Sequence, residues 1–414
     1  RNVITLVSAN TVAQAVAILI YPILTRIYSP EEFGLFALYM SIISITAIIA
    51  TGKYELSVIL PKEERKSLGL LKLSLYLSII FSLFLFVIAL FFRHTISEWL
   101  GNPNISNWLL FVPLSTLLVS FFQTLTVHYN RHKRYKRIDG GNLSQSITNS
   151  LVKISTFRII PKGGGLILGA ITGQLAGAMI FAFKFFRQTS KEFFSIPVAE
   201  IKNMAKEYKL FPKFNMLHYL VNNFSSSLPI FFFSTKFTAA QVGFYSIGFM
   251  MIHRPMNLLT SSLFQVFSQK IIEKHNNSMP VFQDIKKIVL RLFLIAIVPF
   301  SLAAIAGPSI FRFVFGAEWA IAGKYMQLLL PWLFMVFLSS SLSFLPDMLS
   351  RQQTAMWIDI IKFILRAAVL FIGIHYGGIY LSIALFSGIS FLLVSISLIW
   401  YVNLARKTDR NISS

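Results

Sequence analysis

The side chains of this sequence that could do chemistry are ionisable groups set inside long apolar runs. Seven are basic (Lys53, Lys153, Arg158, Arg254, Arg291, Lys362 and Arg366) and three are acidic (Glu55, Asp347 and Asp359). The surplus of positive charge calls for an anion. Arg grips phosphate oxygens with a planar fork, and Lys offers a mobile point charge. Lys362 and Arg366 are four apart and share a helix face. Asp359 lies three before Lys362 and could simply neutralise it. Lys53 and Glu55 are two apart, which predicts that they point away from each other and need different partners. Glu55 and Asp359 are also candidates for titration in a proton- or sodium-coupled cycle, with plain ion pairing as the alternative. Covalent and metal chemistry find less support. There is no cysteine, hence no disulfide, thiolate ligand or thiol nucleophile. His218 and His253 have no carboxylate or Cys companion at ligand spacing, so no metal site is expected. Gly163-Gly-Gly165 is not followed by Gly-Lys-Ser/Thr and reads as a loop, not a phosphate cradle.

The elements that must hold these groups are membrane helices. Of 414 residues, 55% are hydrophobic and 13% charged, and mean hydropathy is +0.66. An average soluble domain is about a quarter charged, so too little polar residue remains to cover a globule of this length. Runs near residues 3–25, 34–60, 71–92, 107–127, 139–160, 165–187, 210–233, 241–267, 287–306, 325–348, 353–374 and 379–403 each approach the ~20 residues that cross the hydrocarbon. They are continuous, without the period-two alternation of a membrane barrel. The expected fold class is an all-α integral membrane protein of about twelve transmembrane helices. The chain opens on Arg1 rather than Met, which predicts a short preceding stretch. Ile4–Leu24 carries Asn10 and Gln14 and has no cleavage-type ending, so it is not read as a signal peptide.

The net charge of +22 is first a matter of topology. With both termini inside, the inner loops and tails collect Arg1, Lys62, Arg65, Arg131, Lys133, Arg134, Lys184, Lys202, Lys270, Arg351, Arg406 and others. The outer loops hold only Arg26, Arg93, Lys162, Lys236, Arg312 and Lys324. Within the spans, Arg254, Lys153, Lys362 and Arg366 sit deep. At a mid-bilayer position each costs roughly 2.5–3.5 kcal/mol on insertion scales. Arg158, Arg291 and Asp347 lie near span ends and can snorkel.

The chain also contains itself twice. Tyr28-Ser-Pro-Glu-Glu-Phe-Gly-Leu-Phe36 enters the second span as Phe237-Thr-Ala-Ala-Gln-Val-Gly-Phe-Tyr245 enters the eighth, aligning Gly34 with Gly243. Trp99-Leu-Gly101 pairs with Val314-Phe-Gly316, Asn130-Arg-His132 with Ser350-Arg-Gln352, and Gly164-Gly-Leu166 with Gly377-Gly-Ile379. The order is kept throughout. This predicts two six-helix lobes (1–187 and 209–403) related by a pseudo-two-fold axis along the membrane normal. A cytoplasmic linker with an amphipathic helix (188–208) joins them, and 404–414 forms a cytoplasmic tail.

Pro22-Ile-Leu-Thr-Arg-Ile-Tyr-Ser-Pro-Glu-Glu-Phe-Gly-Leu-Phe36, followed by Ala50-Thr-Gly-Lys-Tyr-Glu-Leu56, resembles the start of bacterial polysaccharide flippases. So do Phe315-Gly-Ala-Glu-Trp-Ala-Ile-Ala-Gly323 and Leu330-Pro-Trp332. The resemblance runs nearly end to end. These are O-antigen or capsule exporters of the multidrug/oligosaccharidyl-lipid/polysaccharide superfamily, and the likeness implies a V-shaped, alternating-access carrier in the bacterial inner membrane. Its substrate would be an undecaprenyl-pyrophosphate-linked oligosaccharide. Candidate partners are membrane lipid, a polysaccharide polymerase and a chain-length regulator, and not nucleic acid. No cofactor is implied beyond a proton or sodium gradient.

On this reading Arg254, Lys153, Lys362, Arg366 and Lys53 line a cationic lumen that receives the pyrophosphate. Asn10, Gln14, Asn215, His218 and Asn222 form a sugar-compatible wall on the first and seventh helices, unless they serve interhelical hydrogen bonding instead. Pro22, Pro212 and Pro229 would let those helices bend. Two rivals stand beside this. A membrane-embedded O-antigen polymerase or ligase would need a large outer loop, and the longest here is the short Arg93–Ser106 stretch. A multidrug exporter of the same superfamily would favour carboxylates over this cationic set.

Overall fold

The computed structural model describes residues 15–413 apart from Ala17, Pro161 and Ser350. Asn10, Gln14 and most of the first expected span lie outside the described residues. The described chain is helical from end to end and contains no strand. Its helices are α1 (Tyr21–Ile27), α2 (Pro30–Thr51), α3 (Glu64–Trp99), α4 (Val112–Arg131), α5 (Tyr135–Thr156), α6 (Gly164–Ser195) and α7 (Val198–Glu207). They continue with α8 (Met216–Lys236), α9 (Ala239–Asn276), α10 (Phe282–Phe315), α11 (Ala320–Ser340), α12 (Gln352–Tyr376) and α13 (Gly378–Ser413).

Six helical segments among the described residues are long and apolar enough to cross a membrane, or seven if the bent pair Pro103–Leu109 and Val112–Arg131 counts as one span. The six are α2, α3, α6, α10, α11 with its flanking turns, and α13. Their outer faces carry Phe91, Ile305 and Phe313, each more than 70% exposed. An apolar surface of that extent suits lipid and not water. The helices that miss the criterion are informative: α5, α8, α9 and α12 carry Lys153, His218, Arg254, and Asp359 with Lys362 and Arg366. Polar and charged residues set these helices apart, and such residues belong where a bundle or a wet cavity receives them.

The helix starts are encoded locally. Ser29 caps α2: Glu32 N–H donates to Ser29 Oγ, and Ser29 N–H donates to a Glu32 carboxylate oxygen. Thr238 and Gln241 repeat this reciprocal capping box at α9. The two helix starts thus share one hydrogen-bond pattern.

By contact the chain forms two compact units, Arg1–Gly243 and Phe244–Ser414. The division falls later than the 188–208 segment because α7 and α8 both pack back onto unit 1. Helix α7 is amphipathic and buries Ile201 and Met204 in a cluster with Leu68, Leu71 and Phe193. Arg65 grips Glu200 through two hydrogen bonds of 3.0 and 2.8 Å, which holds the Glu200 carboxyl below the ordinary carboxylate range. Tyr54 OH donates to the Ala205 carbonyl, and α8 packs on α2. Within unit 1, Gly169, Gly173 and Gly177 recur every fourth residue of α6. A Cβ on Gly169 would meet Lys153, one on Gly173 Asn149, and one on Gly177 Phe122 and Gln145, so α5 lies against a small-residue face. In unit 2, Asp409 of α13 accepts the Val281 and Phe282 N–H groups at 2.8 and 2.9 Å and so ties down the start of α10.

Candidate functional site

Helix α2 ends on Gly52 in the left-handed conformation, and Lys53 follows in the same region with φ 59°. A 3-10 helix over Tyr54–Ile59 then begins. This break overturns one expectation. Lys53 and Glu55 would diverge on a continuous helix, but the left-handed residue turns the chain and Lys53 Nζ meets Glu55 Oε1 at 3.1 Å. Both are buried, at 8% and 2% exposure. Glu55 Oε2 is buried with no hydrogen-bond partner. The Lys53 ammonium also lies 4.7 Å from the Tyr219 ring of α8, a cation–π contact. Nearer the start of α2, Ser44 donates to Asn223 Oδ1 across the same helix pair at 3.0 Å.

The signature segment at the start of α2 positions Lys153. Tyr28 OH donates to the Lys153 carbonyl at 2.7 Å, and Gly163 N–H donates to Glu32 Oε1 at 2.6 Å. The Lys153 side chain is buried, with Nζ 4.3 Å from the Phe36 ring. Phe36 and Lys53 are 17 positions apart, which is about 25 Å of helix. The structure therefore holds Lys53 and Lys153 toward opposite ends of α2. Glu32→Gln would keep the fold of α2 but weaken a charge-assisted bond to Gly163, an effect of about 1.5–3 kcal/mol. The expected readout is a lowered unfolding temperature with a larger loss in Tyr28→Phe/Glu32→Gln than in either alone. Unchanged stability in the double variant would remove the clamp.

Asn215, just before α8, and His218 within it are half-buried, and Asn222 is exposed. His218 and Asn222 lie in hydrogen-bond contact at 3.3 Å. Asn223, one residue off the stripe, accepts the hydrogen bond from Ser44 of α2. Pro212 sits in a π-helical turn over Phe211–Asn215 that runs directly into α8, and Pro229 lies inside α8. Such turns mark helices with irregular hydrogen bonding.

In unit 2, Lys362 and Asp359 form an ion pair at 3.1 Å. Arg366 is 7% exposed. Its Nε donates to Ser390 Oγ at 2.9 Å, and its guanidinium lies 5.3 and 5.6 Å from the Trp332 and Phe386 rings. Arg254 is half-buried on α9, next to His253, whose ring stacks on Phe249 at 4.6 Å. Arg158, Arg291 and Asp347 are exposed. Sequence reasoning passed over one group, Glu64 with His128 and His132, which the fold gathers at one end of unit 1. The four-residue spacing of the two histidines was the available signal.

Comparison with known proteins gives these elements a family. Residues 23–323 match the family described as polysaccharide biosynthesis protein. No curated protein matches. Among solved structures the chain is similar to the lipid II flippase MurJ in an inward closed conformation, with TM-score 0.75, 15% identity, and 99% of this chain and 90% of that one covered. It is also similar to an inward-facing multidrug resistance MATE family transporter of the MOP superfamily, with TM-score 0.69, 14% identity, and coverage of 95% and 96%. A MOP superfamily transporter from Pyrococcus furiosus Vc1 (DSM3638), described by the reverse polarity of its binding pocket, follows at TM-score 0.60, 12% identity, and coverage of 99% and 95%. The chain thus belongs to the polysaccharide biosynthesis protein family and is an all-α, multi-pass membrane protein built on a fold shared with flippases and multidrug transporters.

Proposed function

We propose that this protein flips an undecaprenyl-pyrophosphate-linked oligosaccharide, an O-antigen or capsule repeat unit, across the bacterial inner membrane by alternating access. The observation that carries the reading is the set of bases on helices otherwise inserted in lipid. Lys53 and Lys153 in unit 1 and Arg254, Lys362 and Arg366 in unit 2 outnumber Glu55 and Asp359. Burying that surplus is costly without an anion, and a pyrophosphate headgroup supplies one. Half-buried Asn215 and His218 and exposed Asn222 offer donors and acceptors suited to sugar hydroxyls. The cationic set favours this substrate over the cations of a multidrug exporter. The termini and the Arg131–Arg137 loop lie on the cytoplasmic side, where the headgroup is captured. Glu55 and Asp359 are the candidates for proton or sodium coupling. No nucleotide-binding motif is present in the sequence, so energy comes from an ion gradient or from removal of product outside.

The test is reconstitution. Proteoliposomes holding the protein should move labelled lipid-linked oligosaccharide between leaflets and form no glycosidic bond. A new glycosidic bond would assign a polymerase or ligase. Arg254→Glu should cut flipping at least about tenfold while insertion is retained, because it removes a phosphate donor and adds a repelling charge. Full flipping by this variant would remove Arg254 from the anion path.

A further inference from the structure

We propose that Glu64, His128 and His132 form a site for a divalent transition-metal ion of the zinc class, where α3 begins and α4 ends. One ligand atom from each residue lies within 4.8 Å of those from the other two. His128 and His132 are four apart at the end of one helix, so their rings share a face, with centroids 4.5 Å apart. That is the spacing by which a helix presents two imidazoles to one metal. Glu64 enters from the first turn of α3, and its Oε1 lies 3.1 Å from His132 Nε2. Two ligand atoms on a tetrahedral zinc sit about 3.4 Å apart. The Glu64 side chain, 42% exposed, has room to adjust toward a bound ion.

The hydrogen bonding around the site orients the ligands. His132 Nδ1 lies 2.9 Å from the His128 carbonyl. A carbonyl can only accept, so Nδ1 carries the proton and Nε2 is left with a lone pair facing Glu64. This is how a backbone carbonyl fixes the tautomer of a metal-binding imidazole. Two lone pairs at that distance need a cation between them. A proton on Nε2 would serve Glu64 and His132 but not His128, whose Nδ1 is buried with no hydrogen-bond partner. Ligation there would supply the partner, and a buried unsatisfied ring nitrogen otherwise demands explanation. Two imidazoles and one carboxylate leave a fourth position for water, a set that suits zinc.

The surroundings set the strength and the consequence. Arg131 also reaches Glu64, at 3.5 Å, and Arg134 and Arg137 both donate to Gln188. These cations oppose a dication, so affinity should fall below that of a closed cysteine-rich site. Arg131 also donates to the carbonyls of Val58, Ile59 and Lys62. It therefore already pins the segment that carries Lys53 and Glu55 to the end of α4. A bound metal would add a second tie between the same elements, which makes the site a means of regulating how that segment moves.

The experiment uses the full chain, purified without a histidine tag in detergent and stripped with chelator. Titrated Co2+ should bind once per chain, give visible absorption bands and be displaced by Zn2+. Glu64→Gln and His132→Gln, both at accessible positions, should each weaken binding by about 10–100-fold or more, the range for disturbing such a site. His218→Ala and His253→Ala should bind as the parent does. His128→Asn should also lose the site; because its ring is buried, its unfolding temperature without metal is compared with that of the parent. Absence of stoichiometric Co2+ binding by the parent chain would overturn the proposal. So would unchanged affinity in both Glu64→Gln and His132→Gln, or loss of the ion in His218→Ala or His253→Ala. None of these readouts depends on the transported substrate.

Discussion

Gly34→Ala and Gly243→Ala are each expected to reduce the folded, inserted protein severely and flipping to background. The two glycines stand at equivalent positions of the sequence repeat and face each other. A Cβ on Gly34 would collide with the Ala239 carbonyl oxygen, and one on Gly243 with the Pro30 carbonyl oxygen. Each glycine also lies against the backbone nitrogen of the other, at 3.2 and 3.1 Å from the added atom. The obstacle is backbone on both sides, inside the first turns of α2 and α9, where the capping boxes hold both chains in place. No side chain can rotate away, so the helices themselves must separate by about an ångström or more. Overpacking of this kind costs about 1–3 kcal/mol and at times more. The controls are Gly140→Ala and Gly388→Ala, where an added Cβ meets nothing within 4 Å. In a helix those changes should be neutral or gain up to about 1 kcal/mol. Measuring inserted yield and unfolding temperature for all four separates steric exclusion from a general intolerance of alanine. Wild-type behaviour of Gly34→Ala would disprove the close crossing.

The second large effect concerns Lys53 and Glu55. Lys53→Met should lower stability by about 3–5 kcal/mol, the range for removing one partner of a buried ion pair. Glu55 is 2% exposed and its second oxygen already lacks a partner, so its charge would be left without compensation. Adding Glu55→Gln to Lys53→Met should recover most of that stability, since an amide needs no counter-ion. Flipping should not recover with it if Lys53 meets the substrate phosphate. A double-mutant cycle read once by unfolding temperature and once by flipping divides the two roles. Equal stability of Lys53→Met and the double variant would deny the pair its structural part. Recovered flipping in the double variant would deny Lys53 its contact with substrate.

Much of this protein is legible in its sequence alone. The apolar runs, the excess of Lys and Arg in alternate loops and the paired Gly34 and Gly243 segments are patterns in one dimension. The first follows from the thickness of the hydrocarbon and the second from the rules of insertion. The helix starts are just as local: the Ser29–Glu32 and Thr238–Gln241 boxes act over three residues. Even the polarity of α5, α8, α9 and α12 is present in the sequence, and it sets them apart from simple lipid-facing spans.

What only the tertiary structure decided are the partners of the charged groups. Side chains two apart diverge on a helix, which predicts different neighbours for Lys53 and Glu55. One left-handed residue after Gly52 reversed that, and a single φ angle leaves no trace in hydropathy. The partition of the chain at Gly243 depends on where α7 and α8 pack, which is a matter of surface complementarity between distant segments. The same holds for Arg366 among Trp332, Phe386 and Ser390, and for Glu64 beside His128 and His132. Glu64 is more than sixty positions from those histidines, and no periodicity along the chain relates residues that meet only because two helices end at the same level.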